Sequence, residues 1–322
     1  MARCCNSVSV LSLNINTGHG PFKSFHERLE RKELEENLDK IASFLRKAKP
    51  EVVCLQEVDL CWDGTHCINQ ASYIAEKAGY NYYVYHIFHK KIGVPSFINS
   101  PTISSIFNRD TGMAILSIYP ITAHGYYKFG SSKNKAVDWL KNIMNEAKGY
   151  MWADIDKQGV IYTVINLHLI NDIVGTVIGF LTGKFIYKGG KIREKQLTTL
   201  LRHLDEFFGK KNVIIAGDFN SVPESLQGCF SNNIHGLEED DYRGDSTLEI
   251  LKSYAERTKR FLLLPFISCR KIDEARDYFT YPAIKPQRPI DYIFPPYAKS
   301  YCVLKELLSD HLPVFSEAEV LS

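Results

Sequence analysis

The chain has 322 residues, 45% hydrophobic and 24% charged, the balance of a globular protein rather than a disordered or collagenous one. Lysine and arginine number 39 against 37 acidic residues, a formal net charge of +2. Near-neutrality argues against a non-specific coat for nucleic acid, which usually carries a strong basic excess; it leaves a local basic groove open.

The eight cysteines are scattered, without a Cys-x-x-Cys pair. Cys61 and Cys67 flank His66, but not at zinc-knuckle spacing. Free thiols in a reducing compartment are therefore expected. No apolar signal-peptide core with a small-residue cleavage site follows Met1-Ala2-Arg3-Cys4-Cys5, and a short cysteine pair is a weak acylation signal. The expected location is cytoplasmic or intracellular, and the expected state a monomer.

Val8 to Asn16 alternates apolar and polar and predicts a strand, ending with Asn14 and Asn16 on one face before Gly18 and Gly20. Arg28 to Lys49 predicts a helix: Leu34, Leu38, Ile41 and Leu45 form one stripe, and Pro50 follows. Glu51 to Glu57 predicts a central strand that turns polar at Gln56 and Glu57. A short helix over Asn69 to Ala78 and an aromatic strand over Tyr80 to Phe88 come next. His89 to Arg109 has no period and predicts a long loop.

Gly112 to Ile118 predicts a strand and Lys133 to Ala147 a helix. Tyr150 to Ile155 and Val160 to Leu167 predict a hairpin turning at Lys157-Gln158-Gly159, with His168 at its exit. The segment Ile170 to Tyr187 holds Ile173, Val174, Val177, Ile178, Phe180, Leu181, Phe185 and Ile186 among glycines. It is too short and interrupted for a membrane span, so it reads as a core-covering loop or an exposed apolar surface. Lys188 to Phe208 predicts a helix.

Val213-Ile214-Ile215-Ala216 predicts a buried strand that delivers Gly217-Asp218-Phe219-Asn220. Period two puts Asp218 and Asn220 on one side, as a polar pair or as a turn, since Asp, Asn, Ser and Pro all form turns. Glu224 to Glu239 begins as a helix and continues as loops, and Asp240 to Asp245 is turn-like. Strands are expected over Arg288 to Phe294, Tyr301 to Leu307 and Leu312 to Phe315. There is no repeat or linker, so residues 1–322 are expected to form a single domain.

The polar strand ends are Asn14, Asn16, Glu57, His168, Asp218, Asn220, Asp291, Asp310 and His311. Far apart in sequence, each leaves or opens an apolar strand, as a cleft at one edge of packed sheets requires. Asn14, Glu57 and Asp310 are oxygen donors of the kind that suit Mg²⁺ or Mn²⁺. The two histidines and Asp218 can move or orient protons, and Asp291 can fix a tautomer of His311.

Seven segments carry a resemblance, in order along nearly the whole chain. They are Leu13-Asn14-Ile15-Asn16, Leu55-Gln56-Glu57-Val58, Gly112 to Ser117, Asn166-Leu167-His168, Gly217-Asp218-Phe219-Asn220, Ile290 to Phe294 and Ser309-Asp310-His311. The set resembles the endonuclease/exonuclease/phosphatase superfamily, which includes deoxyribonuclease I, apurinic endonucleases, sphingomyelinases, inositol polyphosphate 5-phosphatases and deadenylases. The resemblance implies an α/β fold, a four-layered αββα sandwich of two mixed sheets flanked by helices. It also implies divalent-metal-dependent phosphoester hydrolysis with Mg²⁺ or Mn²⁺.

Carried over by position, Asn14, Glu57 and Asp310 hold or approach the metal. Asp218 and Asn220 orient the water and a phosphate oxygen, and His311, held by Asp291, activates water or stabilises charge. His168 contacts the phosphate or assists the leaving group. Lys148 stands where members place a basic phosphate contact, and Asn16 where some carry an aspartate, so both are expected at the substrate. The resemblance does not divide acid from base among the histidines and Asp218.

The apolar segment after His168 favours a lipid or small-molecule phosphodiester, with peripheral membrane contact through 170–187. A nuclease or deadenylase is the alternative, because Gly217 to Ser225 resembles the deadenylase form of that motif. A non-catalytic binding protein would be expected to have lost part of the polar set, which is intact.

Overall fold

The computed structural model describes residues 7–23, 27–89, 110–129, 148–171, 189–209, 212–229, 242–262, 267 and 272–319. The helix expected over Lys133 to Ala147 lies outside them. So do most of the loop after His89, of the apolar segment after Ile170, and of residues 224–239.

Described strands form two mixed sheets. One runs β10 (Tyr297–Val303), β11 (Val314–Glu319), β1 (Ser7–Asn14), β2 (Val52–Asp59), β4 (Thr111–Ser117), β3 (Tyr82–His89). The other runs β5 (Ile121–Lys128), β6 (Gly149–Lys157), β7 (Val160–His168), β8 (Asn212–Asp218), β9 (Asp291–Phe294). Only β1–β2 and β7–β8 pair in parallel; the other pairings are antiparallel.

Helices α1 (Arg31–Ala48) and α2 (Gln70–Ala78) cover the first sheet. The α1 stripe of Leu34, Leu38, Ile41 and Leu45 packs on Leu11, Leu13, Val53 and Leu55, each buried leucine contributing on the order of 2 kcal/mol. The helix stops where Lys49 takes a left-handed conformation, before Pro50. Asn69 caps α2 by accepting from Ser72 N at 3.1 Å. Helices α3 (Gly189–His203) and α4 (Thr247–Thr258) cover the second sheet through Leu197, Leu200, Leu204, Leu248 and Leu251. The two sheets face each other across Val8, Val10, Val52, Cys54, Val164, Ile214 and Ala216. The result is the four-layered αββα sandwich.

Period two governs where the site lies. The inward rows read Val8, Val10, Ser12, Asn14 on β1 and Val52, Cys54, Gln56 on β2. On β7 the row is Tyr162, Val164, Asn166, His168, and on β8 it is Ile214, Ala216, Asp218. Each begins apolar in the inter-sheet core and turns polar toward the same end. The hydrophobic filling thus gives out over the last positions, leaving a polar-lined end between the sheets.

Several expectations are corrected. Strand β5 was not expected: Ile121 to Lys128 pairs with β6 but is mostly exposed, so it lacks the alternation that marks a half-buried strand. Helix α4 was likewise not expected. Strand β10 begins at Tyr297 rather than Tyr301, because its register is set by pairing to Glu319 at the end of β11; β11 itself starts at Val314. Arg288 lies outside β9 and instead bridges Tyr281. Glu224–Leu226 is a single 3-10 turn. Asn16 does not continue the strand but sits in a tight turn at φ 46°. Cys61 and Cys67 are not free thiols: they form a disulfide. The turn around Asp63–Thr65 folds the chain back, with Thr65 N and Cys67 N both donating to Trp62 O at 3.0 Å, and brings the two sulfurs together. Such a bond belongs to oxidising surroundings, so this pair does not support a reducing compartment. No helix among the described residues is long and apolar enough to cross a membrane.

Candidate active site

Glu57 reaches the site through a β-bulge. Gln56 pairs with Met113 and Val58 with Gly112, leaving Glu57 as the extra residue. Its φ of 53° is unusual for a residue with a long side chain. Bulges re-aim side chains beside functional sites, and such backbone persists only where its surroundings enforce it. Glu57 is more exposed than its neighbours. Its Oε1 lies 3.7 Å from Lys148 Nζ and 3.7 Å from His168 Nε2, across the gap between the sheets.

Strands β7 and β8 run parallel and deliver His168 opposite Asp218. The close approach needs Gly217, whose φ is +148°; a Cβ there would meet Leu167 O at 1.9 Å. His168 Nε2 lies 3.4 Å from Asp218 Oδ2 and 2.6 Å from Lys148 Nζ. The chain then turns, with Asn220 at φ 48°. Asn220 N donates to Asp218 Oδ1 at 2.9 Å, and its Nδ2 to Leu169 O at 3.0 Å. Asn14 Nδ2 donates to the other oxygen, Asp218 Oδ2, at 3.2 Å. The turn bonds thus hold the Asp218 carboxylate.

Asp291 opens β9 beside Asp218 in the ladder. Its Oδ2 lies 2.8 Å from His311 Nδ1, and its Oδ1 is buried with no hydrogen-bond partner. Thr280 accepts from Ile290 N and Asp291 N at 3.2 and 3.3 Å, fixing the start of the strand. The Tyr281 ring lies 4.8 Å from the His311 ring. Asp310 accepts from Ser309 Oγ at 3.0 Å, and its carbonyl accepts from Ala283 N at 2.7 Å.

Burial and crowded carboxylates set the charges. Burial first, then Asp291, pushes the Asp218 carboxyl up to about 7. Burial, then Glu57 and Asp291 against the pull of His311, raises Asp310. Burial works against the His311 cation, but Asp291, Asp310 and Asp218 outweigh it and hold the ring protonated to about 10. Burial, with Lys148 and His311 nearby, drives His168 well below its usual range, so it is neutral.

These residues fit a divalent cation. Two carboxyls are raised above their ordinary range by burial and by neighbouring carboxylates, and a buried carboxylate oxygen on Asp291 lacks a donor. Among the described residues, polar atoms of Asp218, Asp291 and His311 lie within 4.8 Å of one another; His311, protonated there, is no ligand, so the fit rests on the carboxylates. Glu57 and Asp310 sense each other electrostatically, and Asn14 stands against Asp218. Lys148 is buried beside His168 and Glu57. Asn16 alone turns elsewhere: its Nδ2 donates to Lys23 O at 3.2 Å, and its N to Asn14 Oδ1 at 3.0 Å. It braces Asn14.

Residues without an assigned role also belong to the site. Gln56 and Asn166, which the motifs contain, lie directly beneath it. Thr280 and Tyr281 fall in a stretch with no predicted element; their only signal is an aromatic run before Pro282.

The family model described as "Endonuclease/Exonuclease/phosphatase family" matches residues 11–311. No curated protein matches the chain. Among solved structures, the endonuclease/exonuclease/phosphatase from Beutenbergia cavernae DSM 12333 is 16% identical with a TM-score of 0.59, covering 98% of this chain and 72% of that one. Beta toxin 275-280 from Staphylococcus aureus is 16% identical with a TM-score of 0.57, covering 97% and 100%. Humanized D. rerio TDP2 is 14% identical with a TM-score of 0.53, covering 97% and 98%. At such identities the structural likeness shows the fold. The family match spans nearly the whole chain, and the protein therefore belongs to the endonuclease/exonuclease/phosphatase family, whose members are hydrolases acting on phosphoesters.

Proposed function

We propose that the protein is a divalent-metal-dependent phosphodiester hydrolase using Mg²⁺ or Mn²⁺. The observation that carries this is the buried cluster of Asp218, Asp291 and His311, whose polar atoms lie within 4.8 Å of one another with Asp291 Oδ2 2.8 Å from His311 Nδ1; burial there raises the Asp218 carboxyl to about 7. A base near pH 7 accepts a proton from water without being wholly protonated at rest.

Asn14, Glu57 and Asp310 would hold the cation, which supplies charge neutralisation at the phosphoryl oxygens. Asp218 takes the proton of the attacking water, while Asn220 and Asn14 keep its carboxylate oriented. Oxygen attacks phosphorus as the in-line bond to the leaving oxygen breaks; negative charge grows on the phosphoryl group and on the leaving oxygen, which takes up a proton from solvent. The His311 cation and the Lys148 ammonium stabilise that charge. Neutral His168, set between Lys148 and Asp218, orients the phosphate.

The finer reading is a lipid or small-molecule phosphodiester, with the segment 170–187 touching a membrane. Its support is the apolar content of that segment after His168. Exposed Phe22 and Ile284 add to it, on loops tied to Asn16 through Lys23 and to Asp310 through Ala283. A panel of sphingomyelin, a phosphoinositide, poly(A) and plasmid DNA, each with Mg²⁺ and with EDTA, tests it. Metal-dependent cleavage of a lipid supports the reading. Cleavage of poly(A) or DNA alone replaces it with the nuclease, and no metal-dependent cleavage of any of them defeats it.

A further inference from the structure

The two walls of the site belong to different sheets: Asn14 and Glu57 to one, His168 and Asp218 to the other. The core between the sheets is apolar, and apolar contact is non-directional. It holds the sheets together without fixing their alignment to fractions of an ångström. Directly beneath the site the apolar filling is replaced by Ser12, Gln56 and Asn166, all wholly buried.

We infer that Asn166, with Gln56, is a positioning residue: a strut between the sheets that spaces Glu57 against His168. The inference rests on the hydrolase reading above. Asn166 stands on β7, two residues before His168. Its Nδ2 donates to Leu55 O and to Ala114 O on the opposite sheet, each at 2.9 Å. Its Oδ1 accepts from Gln56 Nε2 at 2.7 Å, and Gln56 also donates to Ser12 Oγ at 3.1 Å. One side chain thus makes three bonds across the gap. Leu55 and Ala114 face each other in the ladder just before the bulge that turns Glu57 into the site. The strut therefore grips the bulge at its root, one step from His168. A carboxamide is required, because two donors and an acceptor are used at once. At the other end of the sandwich a different pin joins the sheets: Lys157 Nζ lies 2.6 Å from Glu51 Oε1, far from the chemistry.

The test compares Asn166→Ala with Lys157→Met, which cuts the remote pin. Amide hydrogen exchange and steady-state turnover of bis-p-nitrophenyl phosphate with Mg²⁺ are read for both. Asn166→Ala should speed exchange at 56–58 and 167–168 beyond any global change. It should lower kcat by about 10²-fold, the size of effect that a misplacement near 1 Å produces, and leave KM nearly unchanged. Lys157→Met should lower Tm and leave kcat near wild type. Unchanged local exchange in Asn166→Ala, or a kcat loss no greater than that of Lys157→Met, overturns the strut. If Asn166→Ala does not fold, Gln56→Met removes one of the three bonds, and the same readings decide. Inactive wild type would defeat the hydrolase reading instead, and the exchange measurement would still judge the strut.

Discussion

His311 and Asp218, which the proposed mechanism puts at its centre, both favour the fold at low pH, over different pH ranges. The raised pKa of His311 favours the fold at low pH: the contribution is complete below about 6.5 and is lost as pH climbs toward 10. Asp218 has a raised folded pKa too, but as a carboxyl it costs stability as it is forced to ionise, between 3.8 and about 7. Metal-free protein should therefore lose Tm steadily from pH 4 to 9.5. His311→Asn should flatten the upper half of that curve and Asp218→Asn the lower half. Both should cut turnover by about 10²-fold or more if they handle protons or developing charge. A thermal-melt series across pH, with turnover at pH 7, checks each; wild-type turnover in either variant would make that residue structural. Gly217 is a different kind of residue, indispensable for lack of a side chain. Gly217→Ala drives a Cβ into the Leu167 carbonyl and should cost about 3–5 kcal/mol, in the range of severe packing and backbone faults. Urea denaturation measures it, and a loss under 1 kcal/mol would mean the two strands can part there.

At the scale of elements, the strands that feed the site were the most legible part of the sequence. β1, β2, β7 and β8 each show an apolar run that ends in polar residues, because burial and function sit on successive positions of one face. Strand β5 and helix α4 escape the sequence reading. β5 lies at a sheet edge, mostly exposed, and Tyr126 and Tyr127 give no alternation. α4 carries a readable stripe in Leu248, Leu251, Tyr254 and Ala255, yet the turn-rich Asp240 to Asp245 before it suggests continued loop. The Cys61–Cys67 bond was illegible because it depends on how a local turn folds back. Long-range polar pairs leave no local trace either. Arg193 on α3 is fully buried, and its Nε and Nη2 donate to Asp245 Oδ2 at 2.9 and 2.7 Å. Its Nη1 reaches Ile170 O at 3.2 Å, tying the strand exit after His168 to the helical layer. Arg193→Met leaves the buried Asp245 carboxylate without its cation, held among the described residues only by Thr247 N and Oγ1, and should destabilise by about 3–5 kcal/mol. Equilibrium unfolding checks it; a loss below 1 kcal/mol would mean that Asp245 finds another partner.

For the whole molecule, the order of the strand-end motifs made the fold legible, since each motif alone is short and common. What sequence order does not supply is the spacing between sheets. Glu57 and His168 are separated by more than a hundred positions and meet at 3.7 Å only because two sheets are pinned at both ends. The same architecture confines several carboxyl groups in one buried end, where burial raises Asp218 and Asp310; a divalent cation would relieve that crowding. The most direct measurement is turnover of bis-p-nitrophenyl phosphate by protein stripped with EDTA, followed by titration with Mg²⁺ or Mn²⁺. No turnover is expected in chelator, with saturable recovery on adding metal, and Glu57→Gln and Asp310→Asn should each raise the metal concentration needed for half-recovery. Full turnover in EDTA would contradict it.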